Sequence, residues 1–140
     1  GQPAIRLEEA ARKVPASETF TLPFGLIEEN GVLIVDWRPA FREIIERKAE
    51  MSVDARWALA VHRSVANAAC AMVEYALPEK PGSCVVLTGG VFMNRLLTAF
   101  CMEKLRKKGI AVYIHRDVPP NDGGLAVGQA YLAGQENVCV

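Results

Sequence analysis

The apolar positions change period along the chain, and each change marks an element. Over residues 4–14, Ile5, Leu7, Ala10, Ala11 and Val14 fall roughly on one side of a helix. A connector with prolines at 15 and 23 follows. In "FGLIEENGVLIVDW" two short apolar runs flank Asn30-Gly31, the usual sign of a tight hairpin turn. Beyond Asp36 the spacing of Phe41, Ile44 and Ile45 turns helical. Asp36 suits an early cap there, since Pro39 is tolerated only in a first turn. The longest stripe runs through Trp57, Val61, Val65, Ala68, Met72 and Ala76. Ser52 can cap that helix, and Pro78 and Pro81 stop it. The remainder alternates. A strand at Cys84–Leu87 precedes a helix over 91–108, a strand over 110–114 and a final helix from about 123 to 133. Lys104, Arg106, Lys107 and Lys108 crowd the end of the first of these helices, with Gly109 after them. Cations favour the negative helix end, and glycine permits a left-handed cap. Strand, helix, strand, helix predicts that the last two strands are adjacent and parallel, with their C-terminal ends on one sheet edge. The class is α/β.

Composition narrows the function more than the fold. A chain of 140 residues suits one domain. Its 16 basic and 16 acidic residues cancel, so the basic field of a dedicated nucleic-acid binder is missing. No apolar run is long enough for a membrane span, and no secretory leader is expected. Cys70, Cys84 and Cys101 sit in apolar helices or strands, and none of the four cysteines forms a CxxC pair. Reduced core thiols and a cytoplasmic protein are expected. Cys139 lies in the tail, open to an accidental intermolecular bridge.

Two strand-to-helix corners carry the candidate chemistry. The first is Thr88, Gly89 and Gly90; the second is "PPNDGG". Glycines there leave backbone amides open at a helix start, where phosphate is the natural guest. No GK[ST] follows, so this is not a P-loop, and it is not GxGxxG. With a helix beginning near Gly90, Asn94 shares its face, and the Asn94 amide would point back over the glycines. The other reading is a glycine turn that only packs a helix close to a strand. Asn121 or Asp122 can cap the last helix, or Asp122 can ligate a cation at the sheet edge. His62 is expected to be a packed core histidine and His115 a surface residue. Without HxxxH, HExxH or CxxC, the chain cannot complete a metal site alone.

"LTGGVFMNRLL" followed by "HRDVPPNDGGLAVGQA" resembles the C-terminal end of the hydrogenase-maturation carbamoyltransferases, the HypF family. "GQPAIRLEEAA", "VDWRPAFREII" and "ALAVHRSVANA" are similar to further segments of that family in the same order. The resemblance implies one lobe of an actin/Hsp70-like (ribonuclease H-like) ATPase fold, a mixed sheet flanked by helices. Residues 1–140 would be a single domain, the C-terminal lobe of a two-lobed carbamoyl-transfer domain and a fragment of a longer protein.

The resemblance also implies a function and a set of site residues. Gly89 and Gly90 match the glycines that approach the nucleotide phosphates, Asn94 the asparagine one turn later, and Asp122 a metal-ligating aspartate. Gln2 falls in the nucleotide-side motif. Catalytic residues are not identified. The complete enzyme would use ATP, carbamoyladenylate and a divalent metal, iron or zinc. It would pass a carbamoyl group to the C-terminal cysteine of a partner maturation protein. That group becomes a cyanide ligand of a nickel–iron hydrogenase. The metal's paired histidines would come from the preceding lobe, so this chain alone is expected to be inactive. Two alternatives stay open: a noncatalytic nucleotide-binding or assembly module, and an RNA-modifying threonylcarbamoyl transferase relative.

Overall fold

A computed structural model describes residues 2–15, 17–48, 54–77 and 83–136. In chain order the elements are α1 (Gln2–Ala11), β1 (Gly25–Glu29), β2 (Val32–Asp36), α2 (Arg38–Lys48), α3 (Ala55–Ala76), β3 (Cys84–Leu87), α4 (Arg95–Lys107), β4 (Ala111–Ile114) and α5 (Leu125–Glu136). Two 3-10 turns, Gly90–Met93 and Asp122–Gly124, precede α4 and α5.

The expected hairpin forms, with β1 and β2 antiparallel across Asn30-Gly31. The expected parallel pair forms as well, with Leu87 opposite Ile114. The fold is α/β as expected, but among the described residues its sheet content is two separate two-stranded ladders, one antiparallel and one parallel. The hairpin satisfies its backbone locally. It is hooked to the end of α3 by the Tyr75 hydroxyl, which donates to Glu28 Oε2 at 3.0 Å.

α3 is the axis of the molecule. Trp57 and Ala60 pack with Leu22 and Ala40, Ala58 and Leu59 with Ala11, and Ala66 and Cys70 with the core under the parallel ladder. A helix buried on several sides needs small residues, and its alanines let neighbours approach. The expected stripe is therefore only part of its buried surface, and Met72 and Ala76 at its end are exposed. Asp54 caps α3 by accepting from Arg56 N at 2.8 Å. The expected cap Ser52 and the stops Pro78 and Pro81 lie outside the described residues, as does Cys139.

Ser64 is a fully buried polar group on this axis. Its hydroxyl accepts from Leu22 N at 2.6 Å and donates to Leu22 O at 3.0 Å. One side chain thus satisfies both backbone groups of a buried connector residue. Ser64→Ala should lower stability by about 1–3 kcal/mol, because a buried donor and acceptor both lose their partner. A urea denaturation midpoint unchanged from the parent chain would contradict this.

Local chemistry sets the helix ends. Asp36 Oδ1 accepts from Arg38 N at 3.0 Å, and Pro39 stands in the first turn of α2, as expected. At the end of α4, Gly109 N donates to Arg106 O and Ile110 N to Leu105 O, the paired bonds of a Schellman cap. The basic cluster there is solvated and ion-paired, Lys107 with Glu103 and Lys108 with Glu74.

Three expectations about apolar residues are corrected. Ile5 is exposed on α1, and Phe41 and Ile45 are exposed on α2. Cys84 is an exposed free thiol rather than a core one. Cys70 and Cys101 are buried and free as expected. The Cys101 thiol donates to Cys70, which pushes Cys101 far above the ordinary thiol range and holds Cys70 below it.

Candidate functional site

The two corners meet at the C-terminal ends of β3 and β4. Gly89 N donates to Pro120 O at 2.8 Å, a backbone bond that fastens one corner to the other. Gly89 has φ +97°, which an L side chain resists, and a Cβ there would meet nothing within 4 Å. At Gly90 the only neighbour of a built Cβ is Asn121 Cβ, 3.8 Å away. Open space therefore lies over both glycines. Gly124 differs: a Cβ would stand 2.6 Å from Pro119 O, so its role is close packing of the second corner.

One wall of the site is a cleft of about 360 Å³. Leu87, Phe92 and Pro120 form its apolar part, and Arg95, Thr98 and His115 bring polar groups. Thr88 Oγ1 and His115 Nε2 are 2.8 Å apart. His115 is exposed as expected, yet it is tied to the residue preceding the glycines. The register contains this signal, because Thr88 and His115 each follow a paired strand residue.

The route from Gly90 to Asn94 is not the expected helix. A 3-10 turn ends at Met93, Asn94 is extended at φ −71° and ψ 105°, and α4 begins at Arg95. Asn94 and Gly90 thus do not share a helix face. Asn94 Oδ1 instead accepts from Leu97 N at 2.9 Å, capping α4. Its Nδ2 donates to His62 Nε2 at 2.8 Å, which leaves His62 Nδ1 to donate to Ala58 O at 2.7 Å. His62 is the packed core histidine expected, and its ring is what pins Asn94.

At the second corner one of the two expected caps is used. Asn121 accepts from Gly123 N at 3.1 Å and caps the 3-10 turn. Asp122 opens that turn with an exposed side chain, so capping does not occupy its carboxylate. Among the described residues no group of three or more His, Cys, Asp and Glu side chains could hold a metal ion. Gln2 is exposed at the start of α1. It is not part of the cleft; α1 reaches this region through Glu8, whose Oε1 accepts from Arg95 N and Leu96 N.

α5 leaves Leu125, Val127, Tyr131 and Leu132 exposed, and the outer face of the parallel ladder leaves Val86 beside Tyr113 exposed. Among the described residues no helix is long and apolar enough to cross a membrane.

Residues 1–129 match the family model described as "Carbamoyltransferase, Kae1-like Domain, second subdomain". The chain is 32% identical over 141 residues to the carbamoyltransferase HypF of Synechocystis sp., covering 99% of this chain and 17% of that protein. It is 29% identical over 113 residues to a carbamoyltransferase HypF homolog of Cupriavidus necator, covering 79% of this chain and 28% of the homolog. A full-length HypF crystallised in a phosphate- and nucleotide-bound form superposes with a TM-score of 0.81 at 30% identity, over 96% of this chain and 21% of that one. HypF of T. kodakarensis gives 0.69 at 29% identity, over 96% and 17%. The chain thus spans about a fifth of the length of these full-length relatives.

Proposed function

The chain belongs to the HypF family of carbamoyltransferases, as the second subdomain of its Kae1-like domain, and we propose that it forms one wall of a nucleotide- and metal-dependent carbamoyl-transfer site. The observation that carries this reading is the 2.8 Å bond between Gly89 N and Pro120 O. It gathers the glycine turn and the Asp122 turn at one sheet edge, where α/β proteins bind ligands. The similar full-length HypF was crystallised with phosphate and nucleotide.

In this reading the open backbone over Gly89 and Gly90 receives a nucleotide phosphate, a space that a side chain would fill. Asn94 acts from behind, holding the turn rather than touching the ligand. Asp122 would supply one ligand to a divalent metal, iron or zinc, and the preceding lobe would supply the rest. The chemistry such a metal would supply is neutralisation of phosphate charge and polarisation of the carbamoyl carbonyl. This chain's own part is to orient the nucleotide and keep its phosphate at the strand ends.

The substrate is carbamoyladenylate, made from carbamoyl phosphate and ATP. The acceptor is the C-terminal cysteine thiolate of a hydrogenase maturation protein. A carbon–sulfur bond forms to the carbamoyl carbon as its bond to the phosphate oxygen breaks, and AMP leaves with the electron pair. The exposed residues of α5 and the ladder suit the preceding lobe of the same domain, so the chain is inactive by itself. Free cysteines in the core fit a cytoplasmic setting.

The test is Asp122→Asn in the full-length protein. The amide keeps the size but loses the charge, so the fold should persist while metal affinity falls about tenfold or more. Metal content by mass spectrometry and the circular dichroism spectrum give the two readouts. Full metal content and full activity in that variant would reduce Asp122 to a turn residue and remove the metal assignment.

A further inference from the structure

We propose that Glu8 is a positioning residue for the glycine corner: it clamps the start of α4 from α1, a helix 87 residues away in sequence. The inference rests on the nucleotide reading of Gly89 and Gly90. A single carboxylate oxygen, Glu8 Oε1, accepts from Arg95 N at 3.1 Å and Leu96 N at 3.3 Å. It also pairs with Arg12 at 2.6 Å. Partial burial pushes the Glu8 carboxyl upward, but the Arg12 guanidinium and the two amides outweigh this and hold it below the usual carboxylate range.

The first amides of a helix have no partner within it. Here Arg95 N and Leu96 N go to Glu8, and Leu97 N goes to Asn94. The positive end of α4 is thus already neutralised by a residue of this chain. A ligand at the corner meets the glycine turn instead, and the placement of that turn depends on where α4 begins. The junction is Asn94, held from one side by His62 and continuous with the residues that Glu8 holds. Moving the start of α4 would move Asn94 and the turn Gly90–Met93 with it.

Two variants of the full-length protein separate this role from mere packing. Glu8→Met keeps the bulk and removes the acceptor; Glu8→Gln keeps an oxygen facing the amides. Deuterium exchange of the peptide spanning 93–97 reads the clamp, and calorimetry with a nonhydrolysable ATP analogue reads the site. Glu8→Met should raise exchange and weaken analogue binding, by up to about a hundredfold where the turn is misplaced by about 1 Å. Glu8→Gln should restore most of both. Unchanged exchange in Glu8→Met would overturn the clamp. Raised exchange with unchanged affinity would overturn the positioning role. A wild-type protein that binds no analogue would instead sink the nucleotide reading and the positioning role with it, and the exchange data would still decide whether Glu8 fixes the helix start.

Discussion

Leu105→Ala should lower stability by about 2–5 kcal/mol, the largest loss expected from a single side chain here. Leu105 is among the largest fully buried side chains, at 1% exposure. It packs in the cluster that joins α3, α4 and the parallel ladder, with Cys70, Leu87, Leu97, Cys101 and Val112. Truncation would remove transfer energy and leave a void that helices fixed by their own caps cannot collapse into. The backbone would contribute nothing to the loss, because the Leu105 carbonyl keeps its bonds from Lys108 N and Ile110 N. Native stabilities of about 5–15 kcal/mol make such a loss large, and this chain leaves whole faces of α5 and the ladder uncovered. Leu105→Met, which conserves volume, should cost less than about 1.5 kcal/mol. Chemical denaturation of both variants checks the pair. Equal losses would mean that the site is not tightly packed.

Gly90→Val should abolish nucleotide binding by the full-length protein, weakening it by more than about a hundredfold, or about 2.7 kcal/mol. A Cβ alone fits, with Asn121 Cβ 3.8 Å away, so Gly90→Ala is sterically acceptable. Valine adds two methyl groups between the glycine turn and the turn that carries Asp122. They would fill the space assigned to phosphate and cover the adjacent amides. Calorimetry with ATP, beside a thermal melt to show the fold intact, gives the answer. A folded Gly90→Val protein with wild-type affinity would mean that no phosphate sits at this corner.

What the sequence could disclose follows from the range of each interaction. The hairpin was legible because Asn30-Gly31 and the flanking apolar runs are contiguous. The parallel pairing of β3 and β4 was legible because strand–helix–strand order leaves little choice of hand or neighbour. The break at Asn94 was not. Apolar residues continue on both sides of it, and the groups that hold the break, His62 on the Asn94 amide and Glu8 on the next two backbone amides, are far away in sequence. Periodicity also reports which residues are apolar, not what covers them. Phe41 and Ile45 follow the helical pattern, yet they are exposed. The glycines, Asn94 and Asp122 stand out in the sequence because each lies in a strand-to-helix corner. Their geometry needed the fold, and Glu8 and the Thr88–His115 contact emerged only with it.

The bond from Gly89 N to Pro120 O joins main chain to main chain. Such a bond is indifferent to side-chain identity on either strand end. Sequence drift at Arg95 or His115, which line the cleft, can therefore retune its chemistry while the two corners stay fastened. Position 89 is the exception: φ +97° resists any L side chain, and proline would also remove the amide hydrogen. The fastening of the two corners thus rests on one backbone donor and on the glycine conformation that presents it, not on the neighbouring side chains.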